Sequence, residues 1–202
     1  MSQVTSMPKS NRLERRKVVA RLVRDRKELV VVTSLGSPTY DLADAGDHER
    51  NFYLWGAMGG AGVIGLGLAI AKPEIPVMVV VGDGEMLMGM GNFATIALQA
   101  PKNLTIVVLD NELYGETGSQ TSHTSAGADL GTIASGSGIK NVLRVNTQAE
   151  VEELAVRVNS VGDGPTVAIV KIAAGDDKRV LPSRDGVWLK TRVQASLGTL
   201  PA

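Results

Sequence analysis

The chain contains no cysteine. Disulfides, thiolate zinc sites and cysteine-ligated iron–sulfur clusters are therefore excluded within it. Aromatic residues make up only 3% of the 202 positions, so the core must be built from aliphatic side chains. Neither sign of charge is in excess. The 21 lysines and arginines are matched by 21 aspartates and glutamates, which gives no general reason to expect nucleic acid or an anionic membrane as partner. Phe52 to Ala71 has no charged residue and has the length of a membrane span. Six of its residues between Gly56 and Gly67 are glycine, however, and the segments on either side carry soluble α/β patterning. Met1 to Arg16 is polar and basic, without the apolar core of a secretory leader. A cytoplasmic protein is expected.

What is present fits one soluble domain. Hydrophobic residues make up 44% of the chain and charged residues 21%, ordinary values for a globular protein with a sizeable core. The 23 glycines are clustered, and clustered glycine points to backbone held close to a neighbour or a ligand.

Periodicity gives the order of elements. Asn11 to Lys27 alternates charge with an apolar stripe at Val19, Leu22 and Val23, which predicts an amphipathic helix with a solvated arginine face. Leu29–Ser34, Phe52–Trp55, Pro76–Val81, Leu104–Leu109, Val142–Val145 and Thr166–Ile172 read as strands. Helices are expected over Ser37–Ala45, Met58–Ala71, Glu85–Gln99 (with a break near Gly89 and Gly91), Asp129–Ser135 and Thr147–Val161. Asp110–Ala128 reads as one long polar loop, a length that in compact domains usually carries function. Residues 175–202 form a tail with no assigned structure. Continuously apolar strands alternating with helices predict an α/β fold: a parallel sheet covered by helices on both faces.

The chemistry concentrates after two strands. Gly82-Asp83-Gly84 follows Val77–Val81 directly, and in open α/β sheets ligands sit beyond the carboxyl ends of strands. The flanking glycines let backbone approach an anionic group. The next strand ends in Asp110-Asn111, followed by Glu112-Leu113-Tyr114-Gly115. Neighbouring parallel strands would bring the Asp83 carboxylate, the Asn111 amide oxygen and the Leu113 carbonyl to one point. Such a sparse set of hard oxygen ligands suits Mg²⁺, which takes its remaining ligands from phosphate and water. His123, in the following loop, is a candidate proton relay. Glu85 is a candidate cap for the helix after the turn.

A GDG turn followed 28 residues after its aspartate by a strand-end asparagine resembles the signature of thiamine diphosphate enzymes. Gly56-Ala57-Met58-Gly59 stands where that family places the segment touching the cofactor's aminopyrimidine. The resemblance implies that the Gly56 carbonyl accepts a hydrogen bond from the 4′-amino group and that Met58 wedges beneath the bent cofactor. Gly82, Asp83, Gly84, Glu85, Asn111, Leu113, Tyr114 and Gly115 would complete the cofactor contacts. The loop Tyr114 to Thr121 and the phrase Lys102-Asn103-Leu104 to Asp110-Asn111 look most like the sulfopyruvate and phosphonopyruvate decarboxylases, and by that likeness Glu116 and Gln120 would line the site. The similarity runs from about Leu29 to Ile172. Two positions depart from it: Asp110 where the family usually has asparagine, and Gly60 where relatives carry a larger or polar residue.

The same resemblance implies a thiamine diphosphate-binding fold and a diphosphate-binding domain without its pyrimidine-binding counterpart. In the family a glutamate on that counterpart activates the cofactor. A separate pyrimidine-binding subunit is therefore expected, in a hetero-oligomer acting on a small 2-oxo acid by decarboxylation, with carboligation the alternative. Three rivals compete. Gly60-Ala61-Gly62-Val63-Ile64-Gly65 is a formal GxGxxG with Asp83 18 residues beyond it, which suits a dinucleotide. The chain could also be a scaffold that keeps the fold but binds no cofactor. A 2-oxoacid:ferredoxin oxidoreductase β subunit has a similar domain, but those usually carry cysteines.

Overall fold

A computed structural model describes residues 12–175 and 177–200. Most of the polar, basic N-terminal stretch lies outside them. The described chain forms α1 (Arg15–Arg24), β1 (Val30–Thr33), α2 (Ser37–Asp44), β2 (Asn51–Tyr53), α3 (Ala61–Ala71), β3 (Val77–Gly82), α4 (Asp83–Met88) and α5 (Asn92–Gln99). There follow β4 (Leu104–Asp110), β5 (Leu113–Tyr114), β6 (Gln120–Thr121), α6 (Leu130–Gly136), β7 (Asn141–Val145), α7 (Gln148–Val158), β8 (Thr166–Lys171) and α8 (Gly186–Ser196).

Six strands form one parallel sheet in the order β2-β1-β3-β4-β8-β7. The period-2 geometry of a strand explains why its apolar runs are unbroken. Met78 and Val80 of β3 point into one core, with Val107 and Leu109 of β4 and Ala168 and Val170 of β8. Val77, Val79 and Val81 point into the other, with Leu104, Ile106 and Val108. The first core is closed by α1, α2, α7 and α8, the second by α3 to α6. Each buried aliphatic side chain contributes about 1.5–3 kcal/mol. A sheet sandwiched this way therefore needs few aromatics.

Caps fix the helix ends the sequence marks. Thr147 and Glu150 form a capping box on α7, Asp129 caps α6, and Asp185 caps α8 through the Trp188 amide.

The break expected near Gly89 and Gly91 is present, with α4 and α5 parted where Gly89 packs directly on Gly59 backbone. Three expectations change. The helix expected from Met58 begins only at Ala61, because Gly59 sits at φ 88° and cannot belong to it. The Asp110–Ala128 loop carries a hairpin of β5 and β6, whose two-residue strands are too short to show a period. The tail contains α8, whose buried residues Leu189 and Val193 include one turn-spaced pair, a signal too sparse to read from sequence. Its preceding segment is tied down, with Trp55 Nε1 donating to the Ser183 carbonyl at 2.6 Å and the Arg16 guanidinium to that of Lys178 at 2.7 Å.

Candidate functional site

After β1 the chain moves outward to β2, then returns to place β3 on the other side of β1. That reversal opens a crevice at the carboxyl ends of the strands. The cleft there is lined by Leu35–Pro38 after β1, Met58 after β2, Gly82–Glu85 after β3, and Leu109, Asn111 and Leu113–Thr117 after β4. Ten of the expected site residues therefore share one cleft: the ligand candidates Asp83, Asn111 and Leu113, with Met58, Gly82, Gly84, Glu85, Tyr114, Gly115 and Glu116.

Asp83 is 1% exposed. Ser122 Oγ donates to its Oδ2, and Thr124 Oγ1 stands 3.0 Å from the same oxygen and 2.8 Å from Asp110 Oδ1. A threonine hydroxyl has one proton and can serve only one of the two carboxylates. Burial pushes the Asp83 carboxyl above its ordinary value. The Ser122 hydroxyl pulls it back, and the nearby Asp110 adds to the rise. A bound cation relieves this arrangement of buried negative charge.

Asp110 itself does not line the cleft. Lys171 Nζ holds its Oδ2 at 2.7 Å, Glu112 takes the same lysine at 3.0 Å, and Arg12 reaches Glu112 at 2.8 Å. Burial lowers the Lys171 pKa, but the two carboxylates outweigh it and leave the ammonium raised. Asp110 is thus a partner for Lys171, which accounts for an aspartate at this position. Asn111 Oδ1 accepts the Leu113 amide at 2.9 Å, an Asx turn that aims the segment into the cleft.

Gly84 is required by packing. A β-carbon there would lie 2.5 Å from Tyr114 Cε1, so the ring covers the turn. Gly82 is open, with nothing within 4 Å of a β-carbon.

The segment between β2 and α3 forms an arch of unusual backbone. Trp55, Gly56, Ala57 and Gly59 have φ of 51°, 118°, 46° and 88°, conformations that cost non-glycine residues free energy and cluster at ligand sites. Three side chains hold the arch. Ser34 Oγ donates to the Gly56 carbonyl at 2.8 Å, Asn92 Nδ2 donates to the Gly59 carbonyl at 2.6 Å, and the Gly59 amide donates to Glu85 Oε1 at 3.4 Å. The arch presents Met58, which is 36% exposed. The Gly56 carbonyl keeps one lone pair beyond the Ser34 bond.

Glu85, named among the cofactor contacts by the family resemblance, has an environment in the cleft that its sequence position does not reveal. It is 3% exposed, and its Oε2 is buried without a hydrogen-bond partner. Burial raises its pKa to about 7, moderated by the Gly59 and Ala61 amides. Because the Ser34 proton is directed to Gly56, Oε2 remains available to a donor entering the cleft.

Three expected residues are not among those lining the cleft: Gly56, which belongs to the arch, Gln120 and His123. Gln120 bonds with Thr117 across the hairpin turn, donating to its carbonyl at 2.8 Å. His123 is exposed, and its Nδ1 lies 3.0 Å from the Tyr114 hydroxyl. Both Gln120 and His123 are exposed. Glu116 does line it, with Tyr40 donating to its Oε2 at 3.4 Å.

The GxGxxG segment is not a phosphate turn. A β-carbon on Gly65 would collide with Val79 of β3, and one on Gly62 would lie 3.2 Å from Asn92. These glycines let α3 lie close on the sheet and on α5, and the dinucleotide reading falls.

No group of three His, Cys, Asp or Glu side chains suited to a metal occurs among the described residues. A metal here would rest on Asp83 with amide and carbonyl oxygens, as expected for Mg²⁺ held together with phosphate. The buried carboxylate, the open Gly82, the orphaned Glu85 oxygen and the unpacked Met58 fit a phosphate-bearing cofactor with an amino-bearing ring.

Comparison with known proteins agrees. Residues 43–170 match the family model described as thiamine pyrophosphate enzyme, C-terminal TPP binding domain. The chain is 38% identical over 164 residues to the sulfopyruvate decarboxylase subunit beta of Methanothermobacter thermautotrophicus, covering 81% of this chain and 84% of that one. It is 35% identical over 187 residues to the phosphonopyruvate decarboxylase of Streptomyces viridochromogenes, covering 92% of this chain but 46% of that one. The crystal structure of benzoylformate decarboxylase from Polynucleobacter necessarius shares the fold, with a TM-score of 0.64 at 21% identity over 86% of this chain and 35% of that one. With the cleft at the sheet's switch point and the Asp83–Asn111 spacing accounted for, the chain belongs to the thiamine pyrophosphate (thiamine diphosphate) enzymes, as a TPP-binding domain of their C-terminal type.

Proposed function

We propose that this chain is the diphosphate- and metal-binding subunit of a cytoplasmic, hetero-oligomeric decarboxylase of small 2-oxo acids, with sulfopyruvate or phosphonopyruvate as the substrate class. The observation that carries the reading is the meeting of Asp83, Asn111 and Leu113 in one cleft beside the Gly56–Gly59 arch. Relatives named for these two activities support the substrate class. A relative named as a β subunit over nearly its whole length supports division of the enzyme into unlike chains.

Asp83 Oδ, Asn111 Oδ1 and the Leu113 carbonyl would hold Mg²⁺, and the metal with the backbone beside Gly82 would hold the diphosphate. When bound, thiamine diphosphate supplies the electron sink for loss of carbon dioxide. Met58, presented by the arch, would pack against the cofactor. The Gly56 carbonyl and Glu85 Oε2 would meet its aminopyrimidine. Glu116, tethered by Tyr40, borders the substrate space. The activating glutamate comes from the partner subunit.

The test is purification of the tagged chain from its host with thiamine diphosphate and Mg²⁺ present, followed by assay of carbon dioxide release. Sulfopyruvate, phosphonopyruvate and pyruvate are supplied in turn. The expected result is a complex with a second subunit, active on the anionic acids, and inactive but assembled when Asp83→Ala is introduced. Wild-type activity of that variant removes the metal assignment. A chain that recovers no subunit and binds no thiamine diphosphate overturns the whole reading.

A further inference from the structure

A second cavity opens from the cofactor cleft. Ser37, Asn111, Leu113 and Glu116 border both spaces, and the annex continues to Tyr40, Asp177 and Arg179. One of its walls is the segment between β8 and α8. Residues 178–184 of that segment carry three cations, Lys178, Arg179 and Arg184, and no acid. Two carbonyls pin it, that of Lys178 to Arg16 and that of Ser183 to Trp55. Each arginine lies over an aromatic ring: Arg179 stands 5.6 Å from the centre of Tyr40, and Arg184 stands 4.9 Å from that of Trp55. The segment therefore runs along one lip of the cleft, from Glu116 to the first residue of the arch.

The cations near these two spaces differ in what they hold. Arg15 is 6% exposed, and its guanidinium is committed to Asp41, to Asp177 at 3.1 Å and to the Gly175 carbonyl at 3.5 Å. Lys171 and Arg12 are committed to Asp110 and Glu112. Arg179 is not spent in this way. Its side chain is 58% exposed, and Glu116 Oε2, the carboxylate oxygen it faces, lies 3.7 Å from Nη2, beyond hydrogen-bond length. The Tyr40 hydroxyl donates to that same oxygen at 3.4 Å. Tyr40 and Glu116 thus place a guanidinium beside the cleft without using up its donors. A guanidinium offers paired N–H groups in one plane, a match for two oxygens of a tetrahedral oxyanion.

We propose that Arg179 is the receptor for the second anionic group of the substrate, a sulfonate or phosphonate on the carbon beside the ketone, and that the annex is its subsite. This rests on the decarboxylase reading above and adds the residue that separates these acids from pyruvate. Such a substrate carries one more charged group than pyruvate, and that group needs a cation to replace the water it leaves. Glu116 faces the guanidinium while the subsite is empty, and the oxyanion takes that place when the subsite is filled.

The test uses the purified complex with the co-purifying subunit, loaded with thiamine diphosphate and Mg²⁺. Arg179→Met removes the guanidinium, and Lys178→Met removes an equal charge one residue away. In Arg179→Met, kcat/KM for sulfopyruvate or phosphonopyruvate, taken relative to that for pyruvate, should fall at least tenfold, chiefly through KM. Calorimetric binding of 3-sulfopropanoate and 3-phosphonopropanoate, which lack the reacting ketone, should weaken by the same factor. That arm decides the matter where pyruvate is not turned over. Lys178→Met should change neither quantity. Equal losses on all three acids overturn the subsite and assign Arg179 to seating the cofactor or the subunit. So does an equal fall in Lys178→Met, the mark of diffuse charge attraction. A wild-type ratio and affinity in Arg179→Met refute the subsite and leave the decarboxylase standing, with the oxyanion held by the partner subunit. A complex that binds 3-sulfopropanoate through Arg179 yet releases carbon dioxide from none of the acids does the reverse.

Discussion

The Tyr114 ring lies against Gly84, where a β-carbon would come within 2.5 Å of it. The second glycine of the GDG turn is therefore a contact residue for an aromatic ring from the β4 side of the cleft. Gly84→Ala should push the ring off the turn, at a cost of about 1–3 kcal/mol. Denaturant melts of the free chain should show that loss, and calorimetry should show thiamine diphosphate affinity falling at least tenfold. Unchanged affinity would mean that Tyr114 does not shape the site.

Glu85 makes the free chain's stability depend on pH in a defined direction. A carboxyl whose folded pKa is raised stabilises the fold most below its unfolded value and loses that contribution as pH climbs through the folded one. With a rise from 4.5 to about 7, stability should decline between those values, by on the order of 3 kcal/mol. In metal-free protein, Glu85→Gln should therefore melt higher than wild type at pH 8, and the difference should vanish near pH 4. The same variant keeps a polar group at the cleft but no acceptor of full charge, so cofactor affinity should weaken as stability improves.

Removing Lys171 should be costly because Asp110 is buried. Lys171→Met leaves that carboxylate without its cation, an effect of about 3–5 kcal/mol for a fully buried pair. The smaller end is expected, since Lys171 keeps 28% of its side chain exposed. Adding Asp110→Asn should recover most of the loss. A chemical-denaturation double-mutant cycle measures the coupling, and additive losses would show that the pair does not act as a unit.

Gly65→Ala tests the packing account of the glycine-rich helix. The new methyl would collide with Val79, and the chain should lose about 1–3 kcal/mol. Neither form should bind a dinucleotide in an equilibrium titration.

Much of this fold is legible in the sequence because its strands are buried on both sides. Val77–Val81 and Leu104–Leu109 need no alternation to be read as strands, and Asp83 and Asn111 fall at their ends by simple counting. Met58 and Glu116, named by the family resemblance, line the same cleft. What sequence could not show were the features set by neighbours. Glu85 reads as an ordinary helix-start acid, and only burial together with the prior commitment of the Ser34 proton leaves its Oε2 without a partner. Asp110 reads as a departure from pattern until Lys171, on the adjacent strand, is seen beside it. His123 and Gln120 belong to the expected loop but are not among the residues lining the cleft, with Gln120 in the β5–β6 hairpin bonded to Thr117. A hairpin with two-residue strands leaves no periodic trace.

The left-handed arch from Trp55 to Gly59 has a consequence for how the site works over many turnovers. Its torsions are set by Ser34, Glu85 and Asn92 before any ligand arrives. The seat is thus shaped once, while the chain folds, and an arriving molecule need not freeze a floppy loop. The entropy that would otherwise be lost at each association remains available as affinity. A cofactor kept through successive reaction cycles benefits most from a seat that is rigid while empty.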